Sequence, residues 1–187
     1  MTEADAVDVL WHRGATLMAC GAGPKGKNPL LPREKAYAGE DIGAAAHYRR
    51  CGGPMGLVPF SLGLLVVDVD TYTLEVRRDA APWLEVLPPP LADLPTQSGG
   101  RHLYYELRKL LPKAELLGPK SWRFGDIICA KRHVVLYSPQ TLVECLQAED
   151  RPPAVWLGEV LHQLPGVEDW NSDCGYDAEE TEEIEKP

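Results

Sequence analysis

The stretch from Leu62 to Asp70, LGLLVVDVD, decides the predicted fold. It is apolar without alternation until Asp68, a pattern typical of a central strand that is covered on both faces. Side chains alternate along a strand, so Asp68 and Asp70 share one face of it. Two such carboxylates repel each other, and burying them without a partner is costly. A divalent cation would relieve that cost, although a solvated strand end capped by Thr71 and Tyr72 is the alternative.

The overall composition is that of a soluble globular protein. The chain has 187 residues, 44% hydrophobic and 25% charged, which predicts one domain and excludes collagen-like, coiled-coil and wholly disordered chains. No apolar run is long enough to cross a bilayer and the N-terminus is acidic, so a cytoplasmic protein without membrane contact is expected. The five cysteines form no C-x-x-C pair, so reduced thiols and no zinc site are expected.

The net charge of −9 is unevenly distributed along the chain. Residues 167–187 contain nine acidic residues and one basic residue, so we expect a disordered acidic tail after a folded domain of residues 1–166. Residues 96–133 contain eight basic residues and three acidic ones. This local excess favours an anionic ligand, although a solvated basic face would give the same pattern.

Strands and helices mix without strict alternation, which predicts an α+β fold. Capping residues, glycines and prolines mark where the elements begin and end. The predicted helices run from Thr2 to Gly14, from Glu40 to Gly52, from Thr73 to Leu87 with an interruption at Pro82, and from Ala154 to Leu164. The predicted strands are residues 15–20, 55–58, 62–70 and 101–107, followed by a hairpin of residues 126–129 and 133–137.

The segment SGGRHLYY, residues 98–105, is a second candidate for chemistry. Its two glycines are a hairpin-turn signal, and they would let the backbone approach a ligand and present N–H groups to it. Arg101 and His102 then point to opposite faces of the next strand, so His102 can join the face of the two carboxylates. A histidine there could donate a hydrogen bond to a phosphate. Taken alone, a turn with a surface histidine is the simpler interpretation.

Two further residues complete the set of candidates. Asp126 opens a strand and could be a third metal ligand, unless it merely pairs with Arg123 or Lys131. Lys27 lies in the loop Lys25-Gly-Lys-Asn-Pro29, which lacks the spacing of a P-loop. A solvated lysine loop is therefore the alternative to a phosphate contact there.

In this order the segments resemble the bifunctional primase-polymerase (prim-pol) family of the archaeo-eukaryotic primase superfamily. In that family a lysine-proline loop follows the first helix and strand, as residues 25–29 do. An apolar strand runs into Asp-x-Asp, as LLVVDVD does, and a Thr-x-Ser-Gly-Gly-x-His-hydrophobic-Tyr motif follows, as TQSGGRHLYY does. An Asp then opens a hairpin that ends in a hydrophobic run and Ser-Pro, as GDIICAKRHVVLYSP does. The resemblance spans residues 6–139.

The resemblance implies both a fold and an activity. The fold would be a two-lobed core, an α/β module packed on an RRM-like antiparallel-sheet module, which makes residues 1–166 a catalytic domain. The activity would be template-directed nucleotide addition to DNA or RNA, or primer synthesis, with two Mg²⁺ or Mn²⁺ ions. The implied metal ligands are Asp68, Asp70 and Asp126. The implied nucleotide contacts are Lys27, Ser98, Gly99, Gly100, Arg101 and His102. The resemblance also places His102, with the three aspartates, among the catalytic residues.

The implied partners are nucleoside triphosphates and a single-stranded or primed DNA template. Many relatives carry a helicase or a helical accessory domain after the prim-pol domain, so we expect unwinding to come from elsewhere. The family's Trp and Val-x-Thr-Gly turn are replaced here by Tyr48 and Val58-Pro-Phe-Ser61, which leaves the contacts to the nucleotide base undefined.

Two other classes of function are compatible with the residues. One is a catalytically silent nucleotide- or nucleic-acid-binding module on the same fold. The other is a metal-dependent phosphohydrolase or Asp-x-Asp glycosyltransferase on another fold, which explains the order of Gly-Gly-x-His and Asp126 less readily.

Overall fold

The computed structural model describes residues 1–21, 27–32, 35–36, 38–39, 41, 43–71, 73–108, 120–129, 132–165 and 167. The α-helices in these residues are α1 (Glu3–His12), α2 (Ala44–Cys51), α3 (Leu74–Glu85), α4 (Pro139–Gln147) and α5 (Leu157–Leu161). The strands are β1 (Thr16–Ala19), β2 (Met55–Val58), β3 (Leu64–Val69), β4 (Ala92–Pro95), β5 (Arg101–Glu106), β6 (Lys120–Trp122), β7 (Gly125–Ile128) and β8 (Val134–Leu136).

The strands of the described residues form two antiparallel sheets. One has three strands in the order β1-β2-β8, and the other has five strands in the order β4-β5-β3-β7-β6. A 3₁₀ turn at Pro59–Leu62 carries the chain from one sheet to the other between β2 and β3. Helices beside two antiparallel sheets confirm the predicted α+β class. The finer two-lobed arrangement stays a prediction.

Strand β3 is the middle strand of the five-stranded sheet and is covered on both faces. Its residues 65, 67 and 69 belong to a hydrophobic cluster that includes Trp122 and Val160. Residues 64 and 66 belong to a second cluster that includes Leu10 and Leu142. Burial on both faces explains why the strand shows no hydrophobic alternation, and it confirms the prediction of a central, doubly covered strand.

The first and third helices begin where their capping residues predict. Thr2 and Asp5 form a reciprocal capping box at the start of α1, and Thr73 caps α3 by accepting a hydrogen bond from Val76 N–H. The predicted interruption at Pro82 is wrong, because α3 continues through this residue to Glu85. A proline late in a helix removes one backbone hydrogen bond without necessarily ending the helix.

The predicted hairpin of residues 126–129 and 133–137 is also wrong. Both strands exist, but β7 pairs with β3 and β6, whereas β8 pairs with β2 in the other sheet. The turn-like residues between them therefore connect two sheets. Strands β4 and β6 and helix α4 were not predicted, and the last helix is shorter than predicted, with Val155 instead forming a bridge to Leu107.

The end of the chain lies largely outside the described residues. The predicted disordered tail falls on residues 168–187, which the structure does not describe, so the tail stays a prediction. Val167 is described and is buried against the cluster that contains Val160 and Leu164.

Two glycines let neighbouring strands approach the end of β3. A Cβ atom at position 125 would lie 2.0 Å from the Asp68 carbonyl oxygen, and one at position 100 would lie 2.5 Å from the Val69 carbonyl oxygen. Neither backbone oxygen can yield without disturbing the sheet, so both positions require glycine.

Replacing Gly125 by alanine should therefore destabilise the fold. We expect Gly125→Ala to lower the free energy of unfolding by about 2–4 kcal/mol, because the added methyl group overlaps a buried strand. Urea unfolding would measure the change. Gly53→Ala is the matched control, because its Cβ would meet nothing closer than 3.7 Å. Equal stability of the two variants would contradict the close approach at Gly125.

Candidate active site

Three of the predicted site residues meet across three adjacent strands. In the pairing of β3 with β5, Asp68 lies opposite His102, and in the pairing of β3 with β7 it lies opposite Asp126. Directly opposite residues of an antiparallel sheet place their side chains on the same face. The sheet therefore brings together three residues that are up to 58 positions apart in the sequence.

The Asp68 carboxylate is the most perturbed acid of this cluster. Its side chain is only 20% exposed, and its Oδ1 lies 3.5 Å from His102 Nε2. Burial and, to a smaller extent, the charge of Asp70 raise the pKa of Asp68 to about 6, while Lys27 and Arg132 partly offset the rise. Much of the carboxylate is thus ionised at neutral pH, at an energetic cost to the fold.

Burial shifts the pKa of His102 in the opposite direction to that of Asp68. Its side chain is 8% exposed, and its ring lies 6.2 Å, between centroids, from each of the rings of Tyr104 and Tyr137. Burial and, to a smaller extent, the positive charge of Lys27 lower the pKa of His102 to about 4. His102 is therefore neutral at pH 7, and its contact with Asp68 is not an ion pair.

The other two acids lie around Asp68. Asp70 follows the strand directly, and its backbone N–H donates to the Phe124 carbonyl oxygen at 2.7 Å. Asp126 accepts hydrogen bonds from Ser121 Oγ at 2.8 Å and from Arg132 Nη1 at 2.7 Å. The sequence suggested Arg123 and Lys131 as partners for Asp126. Lys131 lies outside the described residues, and the cation in contact with Asp126 among the described residues is Arg132.

The residue types of this cluster suit a hard divalent cation, but the distances between the side chains do not. Asp68, Asp70 and Asp126 are oxygen donors. Burial, together with the charges of the other two acids, raises the pKa of Asp68, so a cation between them would be stabilising. Among the residues that the structure describes, however, no three His, Cys, Asp or Glu side chains are grouped closely enough to hold a metal ion.

The Ser98-Gly99-Gly100 segment forms the turn of the β4–β5 hairpin. Its backbone N–H groups already donate within the turn, Gly99 to the Thr96 carbonyl oxygen at 3.0 Å and Gly100 to Thr96 Oγ1 at 3.0 Å. Ser98 Oγ also lies 3.2 Å from Thr96 Oγ1. Thr96 therefore organises the turn, a role that sequence reasoning missed although the residue belongs to the quoted motif. The predicted nucleotide contacts of these residues stay predictions.

The structure does not bring Arg101 to the acidic cluster. Arg101 is adjacent to His102 on β5 and points to the opposite face, where its Nε donates to Asp93 Oδ1 at 2.9 Å and its Nη2 to Asp93 Oδ2. The predicted nucleotide contact of Arg101 therefore stays a prediction without geometric support. Lys27, in contrast, lies near enough for its charge to shift the pKa values of Asp68 and His102.

Two aromatic residues contribute to the site without having been predicted. Trp122 Nε1 donates to the Asp68 carbonyl oxygen at 3.1 Å and so ties the β6–β7 turn to the end of β3. The Tyr104 hydroxyl is fully buried and has no hydrogen-bond partner among the described residues. Tyr104 lies two positions after His102 on the same strand face, the alternation that could have identified it.

The chain belongs to a known family. The model of the bifunctional DNA primase/polymerase N-terminal domain, Prim-Pol, matches residues 8–167. This match covers most of the chain and confirms the resemblance drawn from the motifs. The family is one of primase-polymerase nucleotidyltransferases, whose substrates are nucleotides and DNA. No curated protein matches the chain. No helix of the described residues is long and apolar enough to cross a membrane.

The two opposite pKa shifts predict opposite pH dependences of stability. The raised pKa of Asp68 stabilises the folded state at low pH, and this benefit is lost as the pH rises from about 4 to about 6. Asp68→Asn should therefore raise the free energy of unfolding at pH 7.5 by about 1–3 kcal/mol, with the gain disappearing near pH 4. Urea unfolding of the variant and the wild type across this range would measure it.

His102→Gln should show the reverse profile. The lowered pKa of His102 destabilises the folded state as the pH falls from 6.5 to about 4, because only the unfolded chain takes up the proton. Relative to the wild type, His102→Gln should therefore gain stability on acidification. Differences from the wild type that are independent of pH in both variants would contradict the burial of this pair.

Proposed function

We propose that this chain is a template-directed nucleotidyltransferase, a DNA primase-polymerase that adds nucleotides to a 3′-hydroxyl or starts a primer. The observation that supports it most is the register of the five-stranded sheet, which aligns Asp68, His102 and Asp126 across three strands. Asp70 follows at the end of the middle strand. Membership of the Prim-Pol family supports the same activity.

In this proposal Asp68 and Asp70 hold Mg²⁺ or Mn²⁺, with Asp126 as the third carboxylate. Two such ions would stabilise the attacking 3′-oxygen and the leaving pyrophosphate. Asp126 would join the set by exchanging its contact with Arg132, which is 43% exposed and can move into solvent. Burial and the neighbouring acids, which raise the pKa of Asp68, would favour this exchange, because a bound cation would neutralise the negative charge there.

His102 and Lys27 would bind the triphosphate of the incoming nucleotide. A neutral imidazole has one N–H donor, which can bond a phosphate oxygen without adding a positive charge to a buried position. Lys27 would supply the positive charge, since it is exposed and its charge acts on both Asp68 and His102. The template would lie on other basic residues, and unwinding by a separate helicase or accessory domain stays an expectation.

A catalytically silent binding module on the same fold is the second candidate. The observation that favours it is Asp126, whose two carboxylate oxygens are each engaged by a protein group. In a protein that binds no metal, Arg132 would remain paired with Asp126 and would stabilise its negative charge.

Primer extension separates the two candidates. On a primed DNA template with Mn²⁺ or Mg²⁺, and with ribo- or deoxynucleotides, the wild-type chain should extend the primer. Asp68→Asn and Asp70→Asn should each reduce extension by at least about a hundredfold, because each removes a carboxylate that would hold the metal ions, and these ions would stabilise the transferring phosphate. Asp93→Asn is the matched control, since this carboxylate lies on the same sheet but pairs with Arg101 on the other face.

Extension that persists in both site variants would rule out this metal site. The absence of extension by the wild type on every template and nucleotide pool, with nucleotide or DNA binding retained, would favour the silent module.

His102→Ala should weaken the use of the incoming nucleotide and leave binding of the DNA template unchanged. Loss of one hydrogen bond to a charged phosphate costs about 1.5–3 kcal/mol, which is roughly a ten- to hundredfold loss in nucleotide kcat/KM. DNA affinity, measured by fluorescence anisotropy, should stay nearly unchanged. If His102→Ala instead abolishes DNA binding, His102 is part of the template site and the proposed role is wrong.

A further inference from the structure

The loop that carries Lys27 is attached to the end of strand β1. Gly21 N–H donates to the Asn28 carbonyl oxygen at 3.0 Å, and Leu30 N–H donates to the Ala19 carbonyl oxygen at 2.8 Å. Cys20 and Pro29 form an antiparallel bridge between these two bonds. The returning arm of the loop is therefore fixed up to Asn28, and Lys27 is the next residue toward its tip.

A long-range hydrogen bond then fixes Lys27 itself. His133 Nε2 lies 2.6 Å from the Lys27 carbonyl oxygen, although the two residues are 106 positions apart. A carbonyl oxygen only accepts, so the imidazole donates and its Nε2 carries a proton. His133 immediately precedes β8, which pairs with β2, so the bond ties the loop to the three-stranded sheet.

Strand β2 has a glycine at the position where the His133 ring packs against it. A Cβ atom at position 56 would lie 2.8 Å from His133 Cδ2 and 2.7 Å from Met18 Cγ. Gly56 lies in the middle of β2, where a glycine has an entropic cost and no side chain to pack. The close packing of the imidazole and of Met18 against its backbone explains a glycine at this position.

We propose that His133 is a positioning residue, which holds the loop so that Lys27 faces the Asp68–His102 cluster and can bind an anionic phosphate group. The nucleotide part of this inference rests on the proposed function. The electrostatic effect of Lys27 on both Asp68 and His102 supports the geometry. His133 lies in the segment that Asp126 opens, but the motifs assign it no role there.

Loss of the His133 donor should release Lys27. A single net hydrogen bond of about 0.5–1.5 kcal/mol corresponds to a roughly two- to tenfold change in the population of the released loop. The consequence for the site would be indirect. Lys27 would keep its charge but would spend less time facing the cluster, so nucleotide affinity would fall while the chemical step would change little.

Two substitutions of His133 separate the hydrogen bond from the packing. His133→Phe keeps an aromatic ring against Gly56 and removes the donor, whereas His133→Gln keeps an N–H donor at a similar reach. His133→Ala replaces the phenylalanine variant if that ring does not fit. His12→Gln is the control, since the His12 ring bonds the carbonyl oxygen of Asp8 within α1 and not the loop. Thermal unfolding establishes that each variant is folded.

The first measurement is limited proteolysis of the full chain. Trypsin cleaves after lysine, so mass spectrometry can follow cleavage of the Lys27–Asn28 bond over time. His133→Phe should be cleaved roughly two- to tenfold faster than the wild type, and His133→Gln at close to the wild-type rate. Equal rates for wild type and His133→Phe would overturn the proposal.

The second measurement is the nucleotide KM in primer extension. His133→Phe and Lys27→Ala should each raise this KM with little change in kcat, and the double variant should be no worse than Lys27→Ala, because His133 acts through Lys27. Additive effects would overturn the proposal. If the wild type shows no nucleotide addition at all, the proposed function fails, and the proteolysis rates alone decide whether His133 holds the loop.

Discussion

The backbone register of β3 against β5 and β7 is the constraint on which the candidate site depends. A slip of one residue would move the side chains of β3 to the opposite face and would separate Asp68 from both His102 and Asp126. Burial of β3 on both faces makes such a slip costly, because every aliphatic side chain would lose its place in one of the two clusters. Gly100 and Gly125 let the neighbouring strands close on the end of β3 at this register.

Burial of the cluster also determines its electrostatics. The same loss of solvent raises the pKa of Asp68 and lowers that of His102, so the pair holds a negative charge beside a neutral imidazole at neutral pH. Asp70 adds a second acid, while Lys27 and Arg132 approach from more exposed positions. We expect this charge distribution to suit a cation near the acids and an anion near Lys27. The proposed complex of metal ions and nucleotide would supply both.

The sequence predicted the parts of this arrangement that depend on local pattern. The apolar run before Asp68 identified the central strand, and strand alternation placed His102 and not Arg101 on the carboxylate face. The partner sheet of β8 could not be predicted, because the residues before it form a local turn signal whether the chain reverses within one sheet or crosses to another. Arg132 and His133 were missed as site partners for the same reason, since their contacts with Asp126 and Lys27 require the assembled sheets.

A crystal structure of the chain with Mn²⁺ and a non-hydrolysable nucleoside triphosphate would test the central claim most directly, because the anomalous signal of manganese locates the ion independently of the protein model. The account predicts manganese bound to Asp68 and Asp70, with the triphosphate in contact with His102 and Lys27. Manganese and nucleotide bound away from Asp68, or a triphosphate bound with no metal at these carboxylates, would contradict it.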